Sequence, residues 1–225
     1  LPHLWAHRMH ENPEAIALLE RALSLDPDYG LAAALAAWAH AQQIVYNWTD
    51  DVAGEVQKGL ALIEKAARHI GEEATGLTAL GTAIMLLEGN ARRALGFIDR
   101  AIAIDPNPAW AWMRRGFGLI YVGEPEEALS AFARAEHLSP LDPFIFNIHI
   151  GIGLAQRADL LLGGRTDHRQ VVTTSPWRDG RAVDEAGNEL RHGERWCHAM
   201  ASAWRRPVSI ELRNKCSRAR AGSAA

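Results

Sequence analysis

The chain has 225 residues, of which 48% are hydrophobic and 23% charged, and its formal net charge is −3 at pH 7. These values are typical of a globular protein of one or two domains and argue against a chain that binds nucleic acid along its whole length. Two cysteines, Cys197 and Cys216, are too few for a disulfide-built scaffold, and no apolar run reaches the ~18 residues of a membrane helix. The chain begins at Leu1 with no signal segment, so we expect a cytoplasmic piece of a longer protein.

The charge is divided unevenly along the chain. Residues 1–163 contain 12 basic and 20 acidic side chains, a net charge of −8, whereas residues 164–225 contain 12 basic and 7 acidic ones, a net charge of +5. The first part is rich in Ala and Leu, and the second shows neither a helical nor a strand period. We therefore predict a helical repeat domain over residues 1–163 and an irregular basic tail over residues 164–225. The pattern is lost from about residue 157, and two explanations stay open: a disordered tail, or a shift of reading frame that makes residues 157–225 non-native.

A pattern of small and apolar residues recurs four times in the first part. Each copy has Ala or Gly, an apolar residue four positions later, Ala after seven, and Pro or Gly after twelve. The copies start at Ala15, Gly59, Ala94 and Ala128, with spacings of 44, 35 and 34 residues. The first three positions share one helical face, where small side chains let a neighbouring helix approach, and a residue before Pro avoids the helical conformation. The pattern predicts helical hairpins packed through Ala15, Ala22, Pro27, Gly81, Ala94, Ala101, Pro106, Trp112, Gly116, Ala128, Phe132, Ala135 and Pro140.

The predicted elements follow this repeat in chain order. The first complete helix covers about 13–24, and its partner should begin upstream of Leu1. The segment 44–51, "IVYNWTDD", is assigned the ten extra residues of the long first interval. The spacing of 35 is attributed to one extra residue in the turn within "LLEGNARRAL". Further along, a helix is predicted over 109–122, ended by Gly123, and the next helix starts at Pro125.

These residues resemble the tetratricopeptide repeat, whose pattern is W-x2-L-G-x2-Y…A-x3-F…A…P. The resemblance covers roughly residues 1–160, and Arg115 and Leu119 depart from it by replacing the Leu and the Tyr. It implies an all-α, right-handed superhelix of about four hairpins that needs no cofactor and binds a peptide or protein on its concave face. A generic Ala-rich bundle is the alternative. The matching residues are Trp112, Gly116, Ala128, Phe132, Ala135 and Pro140.

A looser resemblance concerns the repeat regions of bacterial signalling and regulatory proteins. Three segments are similar to the repeat region of class III adenylate or guanylate cyclase-like proteins: "ALLERALSLDPDYGLAAALAAWAHA", "VYNWTDD" and "PAWAWMRRGFGLIYVGEPEEALSAFARAEHLSPLDP". Related regions follow winged-helix DNA-binding domains. The sequence contains neither of these domains, so the resemblance implies an accessory or effector region, and we expect the chain itself not to be an enzyme.

The predicted partner-binding face lies one position away from the packing stripe on the helix 109–122. It comprises Trp110, Met113, Phe117 and Tyr121, joined by Trp38 from an earlier helix. Aromatic residues and Met with few charges are typical of binding hot spots. The alternative, that these side chains pack against the neighbouring unit, stays open.

Other residue clusters predict no catalytic or metal site. His3, His7 and His10 share a helical face but lack the Glu of a zinc-protease motif. Gly151 and Gly153 lack the third Gly of a nucleotide loop and fall within a predicted helix, which indicates helix packing. The tail is too dilute in charge for a nucleic-acid-binding arm. Its potential metal ligands lack a C-x2-C pair: they are His192, Cys197, His198 and Cys216.

Overall fold

The structure is a computed structural model that describes residues 2–5, 8–142, 145–162, 177–178 and 181–182. The helices are α1 (Pro2–Trp5), α2 (Asn12–Leu25), α3 (Gly30–Val45), α4 (Val52–His69), α5 (Ala74–Ala83, continued by a π-helix at Ile84–Glu88), α6 (Ala91–Ile104), α7 (Ala109–Val122), α8 (Pro125–Leu138) and α9 (Ile145–Leu162). Two short strands, β1 (Trp177–Arg178) and β2 (Arg181–Ala182), pair antiparallel. The predicted all-α fold of helical hairpins is confirmed.

The chain forms two compact units, residues 1–106 with α1 to α6 and residues 107–225 with α7 to α9 and the two strands. The predicted boundary at residue 163 stays a prediction, because the tail lies outside the described residues apart from the two strands. The same holds for the reading frame beyond α9, which itself continues through residues 157–162.

Three helices end where the sequence predicts. Helices α2, α6 and α8 are each followed by one capping residue and then a proline. These capping residues, Asp26, Asp105 and Ser139, have φ values of −132°, −136° and −144°. A proline forces the residue before it out of the helical region, so each helix stops there and the chain can turn into the next one.

Helix α3 is the centre of the first unit and packs against α2, α4 and α5. Thirteen of its 16 residues are buried, because its alanines offer close contact on every side. Large apolar side chains from the surrounding helices complete this core, among them Ile63, Leu77, Leu80, Ile84 and Ile98.

The extra residue of the 35-residue repeat lies inside a helix and not in the turn, so that prediction is wrong. Helix α5 with its π-helical end has 15 residues, whereas α7 has 14. The turns that follow are alike: each begins with a left-handed glycine, Gly89 or Gly123, and has one further residue before the next helix. A π-helical segment accommodates one extra residue without ending the helix. It also brings Leu87 onto α4 at Gly59, where its Cδ1 occupies the place of a Cβ.

The ten extra residues of the first interval are also distributed differently from the prediction. Helices α3 and α4 have 16 and 18 residues, whereas α7 and α8 have 14 each. The connection at 46–51 has six residues and that at 123–124 has two. Two extra residues therefore lie in α3, four in the loop and four in a first turn added to α4. Four residues are slightly more than one helical turn, so the packing face of α4 stays nearly in register.

The core of the second unit is built around Phe132 of α8. A Cβ on Gly116 of α7 would lie 2.6 Å from the Phe132 Cζ, and one on Gly151 of α9 would be closer still. The Phe117 ring meets the Phe132 ring edge to face, with centroids 5.2 Å apart. Gly151 thus serves helix packing, as the sequence predicts.

We predict that Gly81→Ala destabilises the first unit. The added Cβ would lie 2.6 Å from Ile98 Cγ1 and 2.8 Å from the backbone oxygen of Ala94, which cannot move aside. Overpacking of this kind costs about 1–3 kcal/mol of unfolding free energy, measurable by urea denaturation.

Gly96→Ala is the matched control on α6. A Cβ there meets no atom within 4 Å, so only the helix propensity changes. The substitution should raise the unfolding free energy by up to about 1 kcal/mol. Equal effects of the two substitutions would contradict the close approach at Gly81.

Candidate partner-binding face

The five predicted partner-binding residues differ in their exposure. Trp38, Met113 and Phe117 are 1%, 6% and 2% exposed, whereas Trp110 and Tyr121 are half-buried. Of the five, only Trp110 and Tyr121 retain appreciable solvent-accessible surface.

The two most buried aromatics have contacts that account for their burial. The Trp38 ring lies tilted against Trp5 of α1, with centroids 5.1 Å apart, and Phe117 contacts Phe132. These contacts favour the packing alternative for Trp38 and Phe117. A binding role for all five residues stays a prediction.

Helix α7 also carries a buried cation, Arg114, that the sequence pattern does not predict. Arg114 is only 5% exposed, and its guanidinium carbon lies 5.9 Å from the centroid of the Trp110 ring. Burial raises the pKa of Tyr121 to about 12, against an opposing effect of the Arg114 charge. Trp110, Arg114 and Tyr121 thus form an amphipathic cluster, which we call the α7 cluster.

The neighbouring Arg115 explains why the sequence did not reveal Arg114. Arg115 forms a long ion pair with Glu127 of α8, 3.8 Å between Nη2 and Oε2. Two adjacent arginines usually indicate a solvated surface, and Arg115 fits that expectation better than Arg114 does. The i, i+4 spacing of Trp110 and Arg114 is the one signal that could have predicted their contact.

A network of side-chain amides joins α2 to α3. Asn12 Nδ2 donates to the Ala39 carbonyl at 3.3 Å and to Gln42 Oε1 at 2.8 Å, while Gln43 Nε2 donates to Asn12 Oδ1 at 2.7 Å. All three amide side chains are buried. The network sets the register of the two helices, because a shift of either would leave these buried groups unpaired.

The turn added to α4 supplies the partner of a buried histidine on α3. His40 Nδ1 lies 2.6 Å from Glu55 Oε2, and Lys58 Nζ lies 3.2 Å from Oε1 of the same carboxylate. Burial alone would raise the pKa of Glu55, but hydrogen bonds from His40 and Lys58 lower it overall. The carboxylate therefore stays ionised at neutral pH and ties the added turn to α3.

The predicted repeat-packing residues fall into three groups. Ala22 and Trp112 are half-buried, and the prolines Pro27, Pro106 and Pro140 are exposed, so the prolines end helices without filling the core. The buried members are Ala15, Gly81, Ala94, Ala101, Gly116, Ala128, Phe132 and Ala135.

The histidines near the amino terminus contact carboxylates. His3 Nδ1 lies 3.3 Å from Glu11 Oε2, and His10 Nε2 lies 3.8 Å from Glu11 Oε1, while His7 lies outside the described residues. Within the described part of the chain, no group of three His, Cys, Asp or Glu side chains could hold a metal ion. None of the helices described is both long and apolar enough to cross a membrane. The tail residues considered as metal ligands were not among those described.

The fold is that of a tetratricopeptide repeat protein. Among solved structures, the chain is similar to TTC0263, a thermophilic tetratricopeptide repeat protein of Thermus thermophilus, with 17% identity, a TM-score of 0.51 and coverage of 96% of this chain and 94% of that one. It is also similar to YrrB, described as a tetratricopeptide repeat protein with an unusual peptide-binding site, with 23% identity, a TM-score of 0.45 and coverage of 75% and 85%. No family model and no curated protein matches the chain.

We predict that Tyr121 makes stability fall in strong alkali. The unfolded chain ionises a tyrosine near pH ~10, whereas Tyr121 in the folded chain has a pKa of about 12. The neutral form of Tyr121 therefore contributes stability that is intact below pH ~10. This stability is lost as the pH rises towards the pKa of Tyr121 in the folded chain. The measurement compares unfolding free energies of the wild type and Tyr121→Phe between pH ~9 and ~12. Parallel curves would show that Tyr121 is not shielded from water.

Proposed function

We propose that the chain is a non-catalytic interaction module that binds a peptide or protein partner through the inner helices of its hairpins. The observation that carries the proposal is the α7 cluster. In it a half-buried Trp110 and a half-buried Tyr121 flank the buried guanidinium of Arg114 on one helix.

The chemistry of the cluster suits protein recognition. Trp, Tyr and Arg are the residues that most often dominate binding energy, since they offer a large contact area together with a hydrogen-bonding end. The contact between Trp110 and Arg114 holds both side chains in place before a partner arrives. Less conformational entropy is then lost on binding.

A peptide selection tests this proposal directly. The full chain is presented to a random dodecapeptide library, and the tightest-binding peptide is synthesised with a fluorophore for anisotropy titration. We expect Trp110→Ala to weaken its binding at least ~10-fold, the effect of removing one hot-spot residue. The melting temperature should change less than for a core residue, because the Trp110 side chain is only half-buried.

Trp112→Ala is the matched control, since it removes the same side chain two positions away on the predicted packing stripe. It should lower the melting temperature more than Trp110→Ala and leave peptide affinity nearly unchanged. Unchanged peptide binding by Trp110→Ala would contradict the proposed face. A large fall in the melting temperature of that variant would show that Trp110 packs in the core, which would also contradict it.

A further inference from the structure

The loop of residues 46–51, which we call the aromatic loop, presents two stacked rings. Tyr46 and Trp48 lie with centroids 4.7 Å apart and an angle of 24° between their planes, and both are partly exposed. Asn47 between them has φ of 53°, the single positive value outside glycine among the described residues. Asn47 follows the capping residue Tyr46, where a left-handed residue commonly ends an α-helix. The conformation costs about 1 kcal/mol, so other contacts must stabilise it.

The aromatic loop is held by contacts on both sides. At its start the Trp48 amide donates to the Gln43 carbonyl at 2.8 Å. At its end the Asp51 amide donates to Thr49 Oγ1 at 3.1 Å, and Asp51 caps α4 by accepting from the Gly54 amide at 2.9 Å. These bonds cap the end of α3 and the start of α4, as at other helix ends of the chain, and they fix the conformation of the loop between the two helices. The rings are thus presented on an ordered surface that loses little entropy when it binds.

The contact between His40 and Glu55 joins the segment after the aromatic loop to α3. Glu55 lies in the added turn of α4 directly after the loop, and the 2.6 Å contact to buried His40 joins that turn to α3. The loop is therefore attached to the core at both ends.

The surroundings of the aromatic loop are anionic. Three carboxylates lie in the loop or directly after it, those of Asp50, Asp51 and Glu55, and no Lys or Arg occurs between Ala22 and Gln57. The next base, Lys58, already contacts Glu55. Residues 1–106 as a whole contain 8 basic and 14 acidic side chains, a net charge of −6. The faces of aromatic rings are also electron-rich, so the rings and the carboxylates both attract cations.

We propose that the aromatic loop binds arginine side chains of the protein partner. The guanidinium packs on the exposed surface of the Trp48–Tyr46 pair, and the exposed carboxylate of Asp50 neutralises its charge. Arginine fits better than lysine because its planar, weakly hydrated cation stacks on aromatic rings. The proposal rests on the proposed function, since it defines the chemistry of the partner that the module binds.

The test uses fluorescein-labelled (Gly-Arg)4 and (Gly-Lys)4 peptides with the full chain. We expect tighter binding of the arginine peptide. Trp48→Leu keeps an apolar side chain but removes the ring, so it should weaken arginine binding about 5- to 10-fold and abolish the preference over lysine. Circular dichroism checks that the helical content is unchanged.

Two charge-matched variants separate a defined site from general attraction. Asp50→Asn and Asp28→Asn each remove one negative charge, but Asp28 lies at the opposite end of α3 from the loop. Asp50→Asn should weaken arginine binding several-fold more than Asp28→Asn. Equal effects of the two, or unchanged binding by Trp48→Leu, would overturn the arginine site.

The library-selected peptide distinguishes the two proposals. If the chain binds that peptide but shows neither an arginine preference nor a dependence on Trp48, the arginine site is wrong and the proposed function stands. If the chain binds no peptide of any kind, both are wrong.

Discussion

The ring of Phe132 packs between two helices that each present a glycine to it. Gly116 of α7 and Gly151 of α9 leave space that a single methyl group would fill, and the first unit shows the same arrangement where Gly81 faces Ile98. Helices can approach this closely where one side lacks a side chain, and the large side chain on the other then fills the remaining space. This steric pairing explains why small residues recur at fixed positions along the chain, and the hairpins of each unit depend on it.

The pairing also explains how the repeat accepts extra residues. An insertion is tolerated where it leaves the small residues in register, either as about one turn at the start of α4 or as a π-helical segment at the end of α5. Once the register is kept, the added segment is free to acquire other contacts. The turn added to α4 supplies Glu55 for His40, and the loop before it carries the stacked pair of Tyr46 and Trp48. The insertion thereby adds contacts without disturbing the core.

The fold could be predicted from the sequence because its determinants are local. Proline stops a helix through its own neighbour, and small residues seven apart mark a packing face, so the hairpins follow from short segments. The candidate site could not be predicted to the same extent. Phe117 and Trp38 follow the groove positions of the pattern, yet each is covered by a ring distant in sequence, Phe132 and Trp5. The burial of Arg114 and the pairing of His40 likewise depend on tertiary contacts that no periodicity reports.

A double-mutant cycle between Gly116 and Phe132 tests the central claim most directly. In the wild-type background Gly116→Ala forces a Cβ against the Phe132 ring, whereas in a Phe132→Leu background the shorter side chain leaves room for it. The account predicts that the cost of Gly116→Ala falls by at least about 1 kcal/mol when Phe132→Leu is present. Free energies of unfolding that add to within ~0.5 kcal/mol would show that the two residues are not in contact, and would contradict the steric pairing on which the hairpins depend.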